Sequence, residues 1–210
     1  MNITNTSDLF LANDDQNYRN FVYEVTDVLA TQNVTRTISL PKTGIYNIIV
    51  VGGGGSGGVG SLGKGGGAVR SGGGGGGGSG SYVRGQIGLT RGALHITFNR
   101  DCSVITGGAT MLTVGGGSNG TGAPYNGTGS GGAGGVVKYV NPAITVLEIK
   151  NGLNGSGGTF GLNWVIGQGG AGGASRYNGW GVGQNGGPGT HSGVPGKPGN
   201  PYFRIEYAGN

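Results

Sequence analysis

Cysteine occurs once in this 210-residue sequence, as Cys102, so no intramolecular disulfide can form. Charged side chains make up only 10% of the chain, and histidine appears twice, as His95 and His191. After residue 40 the only carboxylates are Asp101, Glu148 and Glu206. An active site needs convergent polar groups, and no His, Cys or carboxylate cluster here has metal-ligand spacing. The expectation is a protein that is not an enzyme, with no metal and no cofactor. The longest strongly apolar stretch, residues 48–51, is far short of the roughly 20 that span a bilayer, so no membrane insertion is expected. The N-terminus lacks the basic start and apolar stretch of a secretory signal, which points to assembly in a reducing cytoplasm. Seven prolines and no strict Gly-X-Y period exclude a collagen triple helix.

What the chain has in excess is glycine, 56 residues. Fixing a backbone costs roughly 1 to 2 kcal/mol per residue, and glycine has the most freedom to lose, so order requires an unusual source of cohesion. Hydrophobic residues nevertheless make up 34%, gathered into strand-length segments that a flexible linker has no reason to maintain. The chain reads as folded.

Residues 1–40 contain no glycine and carry Arg19 and Arg36 against Asp8, Asp14, Asp15, Glu24 and Asp27, a balance of −3 that leaves +8 on the remainder of the formal +5. A basic body favours anionic partners such as phosphorylated glycans or nucleic acid, or serves solubility alone. In 34–40, Thr35, Thr37 and Ser39 share one face and Val34, Ile38 and Leu40 the other, interrupted by Arg36, the alternation of a half-buried strand. Pro41-Lys42-Thr43-Gly44 supplies a turn, and the apolar strand 45–51 follows, so a hairpin leading into the glycine body is expected. Short strands are also expected at 93–98, 111–114, 136–140, 144–149 and 202–207.

Between them lie glycine tracts at 52–58, 65–67, 72–78, 115–117, 131–135 and 167–173. A three-residue extended helix leaves its N–H and C=O groups pointing outward, and bare glycine chains approach closely enough to bond to one another. The expected fold is therefore mostly irregular or extended, built of packed polyglycine II helices with short β-strands and very little α-helix. Two units are expected, a β-rich attachment segment at 1–40 and a glycine-rich domain at 41–210.

Several motifs fail on inspection. The strand 45–51 runs into a match to GxGxxG, but no helix follows to meet a pyrophosphate. Gly63-Lys64-Gly65 lacks the Ser or Thr of a phosphate-binding loop. Cys102, Asp101 and His95 have no spacing that specifies a nucleophile and base, and His95, between Leu94 and Ile96, reads as the outer face of a strand. Six N-x-S/T matches are expected by chance in a chain this rich in Asn and Thr.

More informative are aromatic residues set among Asn, Ser and Gly, the composition of adaptable binding loops. Tyr125, Phe160, Trp164, Tyr177 and Trp180, with Lys64 and Arg176 nearby, are the candidate contact residues. Capping of the glycine body as a small hydrophobic cluster is the alternative role.

The strand 44–51, the tract Gly52-Gly53-Gly54-Gly55-Ser56-Gly57-Gly58, the dispersed tracts and the closing aromatic strand together resemble the glycine-rich domains of bacteriophage tail-fibre tip proteins, including the distal adhesins of T-even-like phages. The resemblance covers about residues 41–207. It implies a virion protein at the tail tip, assembled in the host cytoplasm, whose loops touch a bacterial surface receptor, an outer-membrane protein or a surface glycan. Residues 1–40 would mount it on a larger tail-fibre or baseplate protein, and no nucleic acid would be bound. A tail-fibre assembly chaperone and a non-viral glycine-rich structural or ice-binding protein are the alternatives, the last disfavoured by eleven Lys or Arg after residue 40.

Overall fold

The structure is a computed structural model that describes residues 21–65, 68–124, 127–162, 165–189 and 196–209, with residues 64, 65, 68 and 69 described as backbone only. Two five-stranded antiparallel sheets make a β-sandwich. The first runs in the order β1 (Val22–Val25), β13 (Tyr202–Gly209), β3 (Gly44–Val51), β6 (Tyr82–Leu89), β11 (Ile144–Lys150). In the second the order is β10 (Val137–Val140), β9 (Ala109–Val114), β8 (Asp101–Thr106), β7 (Gly92–Asn99), β2 (Val34–Leu40). Alternation places the core: Tyr46, Ile48 and Val50 of β3 and Phe203 and Ile205 of β13 face Ile38, Leu94, Ile96, Phe98, Val104 and Leu112 across the gap, all buried.

Two expectations are corrected here. The mostly irregular, extended fold with only short strands is overturned by thirteen strands, four of them eight residues long, in three antiparallel sheets. Strands such as β6 hide from an apolar-periodicity reading because Gly85 takes an inward position between Val83 and Ile87. The expected hairpin of 34–40 with 45–51 does not form either. The turn instead carries the chain across the sandwich, so β2 pairs with β7 in one sheet and β3 with β6 and β13 in the other. No helix occurs among the described residues.

Residues 21–40 belong to the sandwich, since β1 and β2 are edge strands of opposite sheets. The Tyr207 N–H donates to Phe21 O at 3.0 Å, which continues the β1 to β13 pairing. The composition boundary at residue 40 thus falls inside one packed unit. Residues 1–20 of the expected attachment segment lie outside the described residues.

Beyond one end of the sandwich the strands run on as glycine-rich extended chains. Residues 72–81 lie at the centre, and their bonding repeats every three residues. The N–H groups of Gly73, Gly76 and Ser79 donate to Thr159, Ser156 and Leu153, and those of Gly74, Gly77 and Gly80 to Gly187, Gln184 and Gly181. Gly75, Gly78 and Ser81 donate to Thr121, Ser118 and Gly115. Their carbonyls accept in the same rotation: Gly129, Gly132 and Gly135 donate to Gly73, Gly76 and Ser79, Gly170 and Gly173 to Gly74 and Gly77, and Gly58, Gly55 and Gly52 to Gly75, Gly78 and Ser81. Six chains therefore surround one.

The six also bond to each other in a closed ring: Gly120 to Ser56, Ser118 to Ala133, Gly155 to Gly132, Ser156 to Ala171, Gly186 to Gly170, and Gln184 back to Gly55. At about 3.1 Å per residue the centre spans about 25 Å from Gly73 to Ser81. The close approach leaves no room for side chains inward, as a Cβ on Gly75 would sit 1.9 Å from Ser130 O and one on Gly78 2.0 Å from Ala133 O. This bonding supplies the cohesion that the composition demands.

Candidate functional site

The array places two aromatic and apolar groups at its two ends. At the end away from the sandwich, the chain leaving residues 52–60 forms β4 (Ser61–Gly65) and returns through β5 (Ala68–Gly72) into the central chain. β12 (Phe160–Leu162) adds to β5, with Phe160 opposite Gly72 and Leu162 opposite Arg70. Buried Ser71 ties this tip to the array, its hydroxyl donating to Gly189 O at 2.6 Å and accepting from Gly167 N–H at 2.9 Å. The Ser61 hydroxyl donates to Pro124 O at 3.0 Å, drawing residues 121–124 alongside.

Large apolar side chains are each exposed at this end: Val59 (55%), Phe160 (39%), Leu162 (49%), Val165 (64%) and Ile166 (48%). Water-exposed aliphatic surface at the end of such an array is a candidate contact surface. Within residues 59–72, 121–129 and 159–168 the only charged residues are Lys64 and Arg70, so no carboxylate lies in these segments.

At the sandwich end, loop 174–181 folds back over the strand ends. Asn178 and Gly179 have φ of 45° and 83°, the positive pair that a type I′ turn requires, and Trp180 N–H donates to Tyr177 O at 2.9 Å. The turn presents both rings to the sandwich. Tyr177 stacks on Tyr82 with centroids 5.3 Å apart and lies 5.5 Å from Tyr202, while Trp180 stacks on Tyr202 at 5.1 Å. Tyr82, Tyr202 and Val51 are buried beneath them. The Arg176 Nε–H donates to Asn151 O at 2.8 Å.

The seven candidates therefore separate. Phe160 stands at the tip, and Lys64 has its backbone there, in β4 opposite Val69, its side chain outside the described part. Tyr125 and Trp164 lie outside the described residues, on segments whose described flanks reach the tip. Arg176, Tyr177 and Trp180 are at the joint with the sandwich, the full length of the array away. Sequence reading favoured aromatics and passed over Val59, Leu162, Val165 and Ile166. They are aliphatic residues set near glycine tracts, and the sequence alone does not show that they stay uncovered.

Burial pushes the Tyr82 hydroxyl up to about 12, helped by its 2.9 Å hydrogen bond to the Glu148 carboxylate. Lys150 and then Tyr82 hold Glu148 below the usual carboxylate range. The groups weighed as nucleophile and base are separated: Cys102 is buried in the core, where desolvation and then Asp101 push its thiol well up. His95 sits on the opposite face of the same sheet, 2.8 Å from the Thr37 hydroxyl. Asp101 pairs with Lys138 and accepts Gly116 N–H at 2.9 Å. His191 lies outside the described residues. No group of three or more His, Cys, Asp or Glu residues able to hold a metal occurs among the described residues, and no described helix could cross a membrane. Comparison with protein-family models and with curated proteins finds no match.

Proposed function

We propose that this chain is a bacteriophage tail-fibre or baseplate tip adhesin, a non-enzymatic virion protein that presents a rigid tip to a receptor on the bacterial surface. One observation carries the reading: Val59, Phe160, Leu162, Val165 and Ile166 are all exposed at the free end of a hydrogen-bonded array. Apolar side chains held in order before contact lose little entropy on binding. Bare backbone packed against backbone leaves the array itself almost no side-chain chemistry, so recognition falls to the tip. The resemblance of residues 41–207 to phage tip adhesins supports the same assignment. The sandwich, at the opposite end, would then face the larger fibre or baseplate protein.

The receptor is an outer-membrane protein or a surface glycan, and the carboxylate-free tip segments, with Lys64 and Arg70 as their charged residues, favour an anionic one. Adsorption assays on a bacterial panel test the reading. Phe160→Ala and Leu162→Ala should each weaken adsorption by about thirtyfold if they are central anchors, at unchanged melting temperature. Folded variants that adsorb as the parent does to every host would sink it.

A further inference from the structure

A second site lies on the flank of the joint, apart from the tip. There the β7 to β8 turn, the loop before β2 and the array chain 115–121 line an open groove of about 680 Å³. Such a volume is within the range of small-ligand sites, roughly 300 to 1,000 Å³. Its chemistry is mainly polar: Asn33, Asn99 and Ser118 offer amides and a hydroxyl, Asp101 a carboxylate, and Arg100 and Lys138 two cations. No aromatic or large aliphatic side chain lines it, which disfavours an apolar ligand.

Arg100 is the informative residue. It is the one position between paired Asn99 and Asp101, and it holds a φ of 76°, where glycine would be unstrained. Its carbonyl is fixed by Gly53 N–H at 2.6 Å. Its stem crosses Gly116, where a Cβ would meet Arg100 Cγ at 2.3 Å and the Arg100 carbonyl oxygen at 2.6 Å. Asp101 is engaged by Lys138 and Gly116, and among the described residues the Arg100 guanidinium has no partner. Strain kept at a turn and an unpartnered guanidinium together indicate a residue held for its side chain.

We propose that this groove binds an acidic sugar. The guanidinium of Arg100 takes the carboxylate or phosphate through its planar donor fork. Asn33, Asn99 and Ser118 engage the hydroxyls, and Asp101 accepts one of them while Lys138 offsets its charge. The proposal stands without the tip reading, since it uses none of the same residues.

Calorimetric titration of the full chain with glucuronate, glucose 6-phosphate and glucose tests it. At least one acidic sugar should bind saturably and about tenfold or more tighter than glucose. Arg100→Gly removes the guanidinium and relieves the backbone, so it should weaken that binding by about tenfold or more, with a melting temperature equal to the parent's or higher. Arg100→Gln keeps the stem over Gly116 and should lose binding to the same extent. Phe160→Ala should bind as the parent does. No saturable binding of either acidic sugar up to about 20 mM, glucose binding as tight as both, or parental affinity in either Arg100 variant would overturn the proposal.

Discussion

The Tyr177 ring lies nearly parallel to that of Tyr82, with 9° between their planes and 5.3 Å between their centroids, and so fastens a loop of the glycine array to the first strand after the central chain. Trp180 does the same to Tyr202, the first residue of β13. Tyr177→Ala and Trp180→Ala should therefore act on stability, each by roughly 2 kcal/mol, or about 4 to 8 °C in melting temperature. Thermal melts decide it, and unchanged melting in both variants would show that the stack holds nothing.

The array makes a sharper demand on its glycines. A Cβ at Gly75 would stand 1.9 Å from Ser130 O and one at Gly170 2.0 Å from Ser156 O, both backbone atoms held by further bonds. Gly75→Val and Gly170→Val should each cost on the order of 3 kcal/mol or more. Ser61→Val, at a half-buried position whose hydroxyl donates to Pro124 O, should cost about 1 kcal/mol. Equal denaturation midpoints for the three variants would refute the packing.

Alkaline pH should loosen the sandwich. Burial pushes Tyr46 and Tyr82 up to about 12, and raises Tyr23 and Tyr202 as well, Tyr202 with the help of Glu24. In the unfolded chain these phenols ionise near 10, so the native state holds its protons more tightly. Their contribution is fully present below pH 10 and is lost as pH rises through the native values near 12. Melting temperature should fall across that window. Tyr46→Phe, which also loses the 2.6 Å bond to Lys42 O, should start lower and fall less steeply. A slope identical to the parent's would contradict the assignment.

Cys102 should be inert in the native protein. It is fully buried and its thiol is pushed up by desolvation, so neither access nor thiolate is available. A thiol reagent at pH 8 should label it at the rate of unfolding and at once in denaturant. Fast labelling of the native protein would place Cys102 outside the core.

Much of the sandwich was legible in the sequence. The alternations at 34–40 and 202–207 and the apolar run at 45–51 predict β2, β13 and β3, because there the inward positions hold large apolar residues, with Arg36 of β2 as the exception. β6 and β8 were missed. Gly85 sits inward in β6, and Asp101 and Ser103 flank a single cysteine in β8. The crossing of the chain between β2 and β3 was illegible because a short turn signal marks reversal in either geometry. As for the tip, Phe160 was read from its surroundings, but its aliphatic neighbours become visible only once the array shows that nothing covers them. Tyr177 and Trp180 sit in a sequence that looks like a loop, and the positive φ values at Asn178 and Gly179 turn that loop inward.

The sevenfold bundle has a mechanical consequence. Its hydrogen bonds run across the long axis, and the central chain bonds to a different neighbour at each successive N–H. A pull between the tip and the sandwich would load these bonds together in shear. No chain could be peeled from its neighbours one bond at a time, because each of the six outer chains is held by its two ring neighbours and by the centre. Failure under load would require many bonds to slip at once, so the link between the two ends should be stiff and yield abruptly.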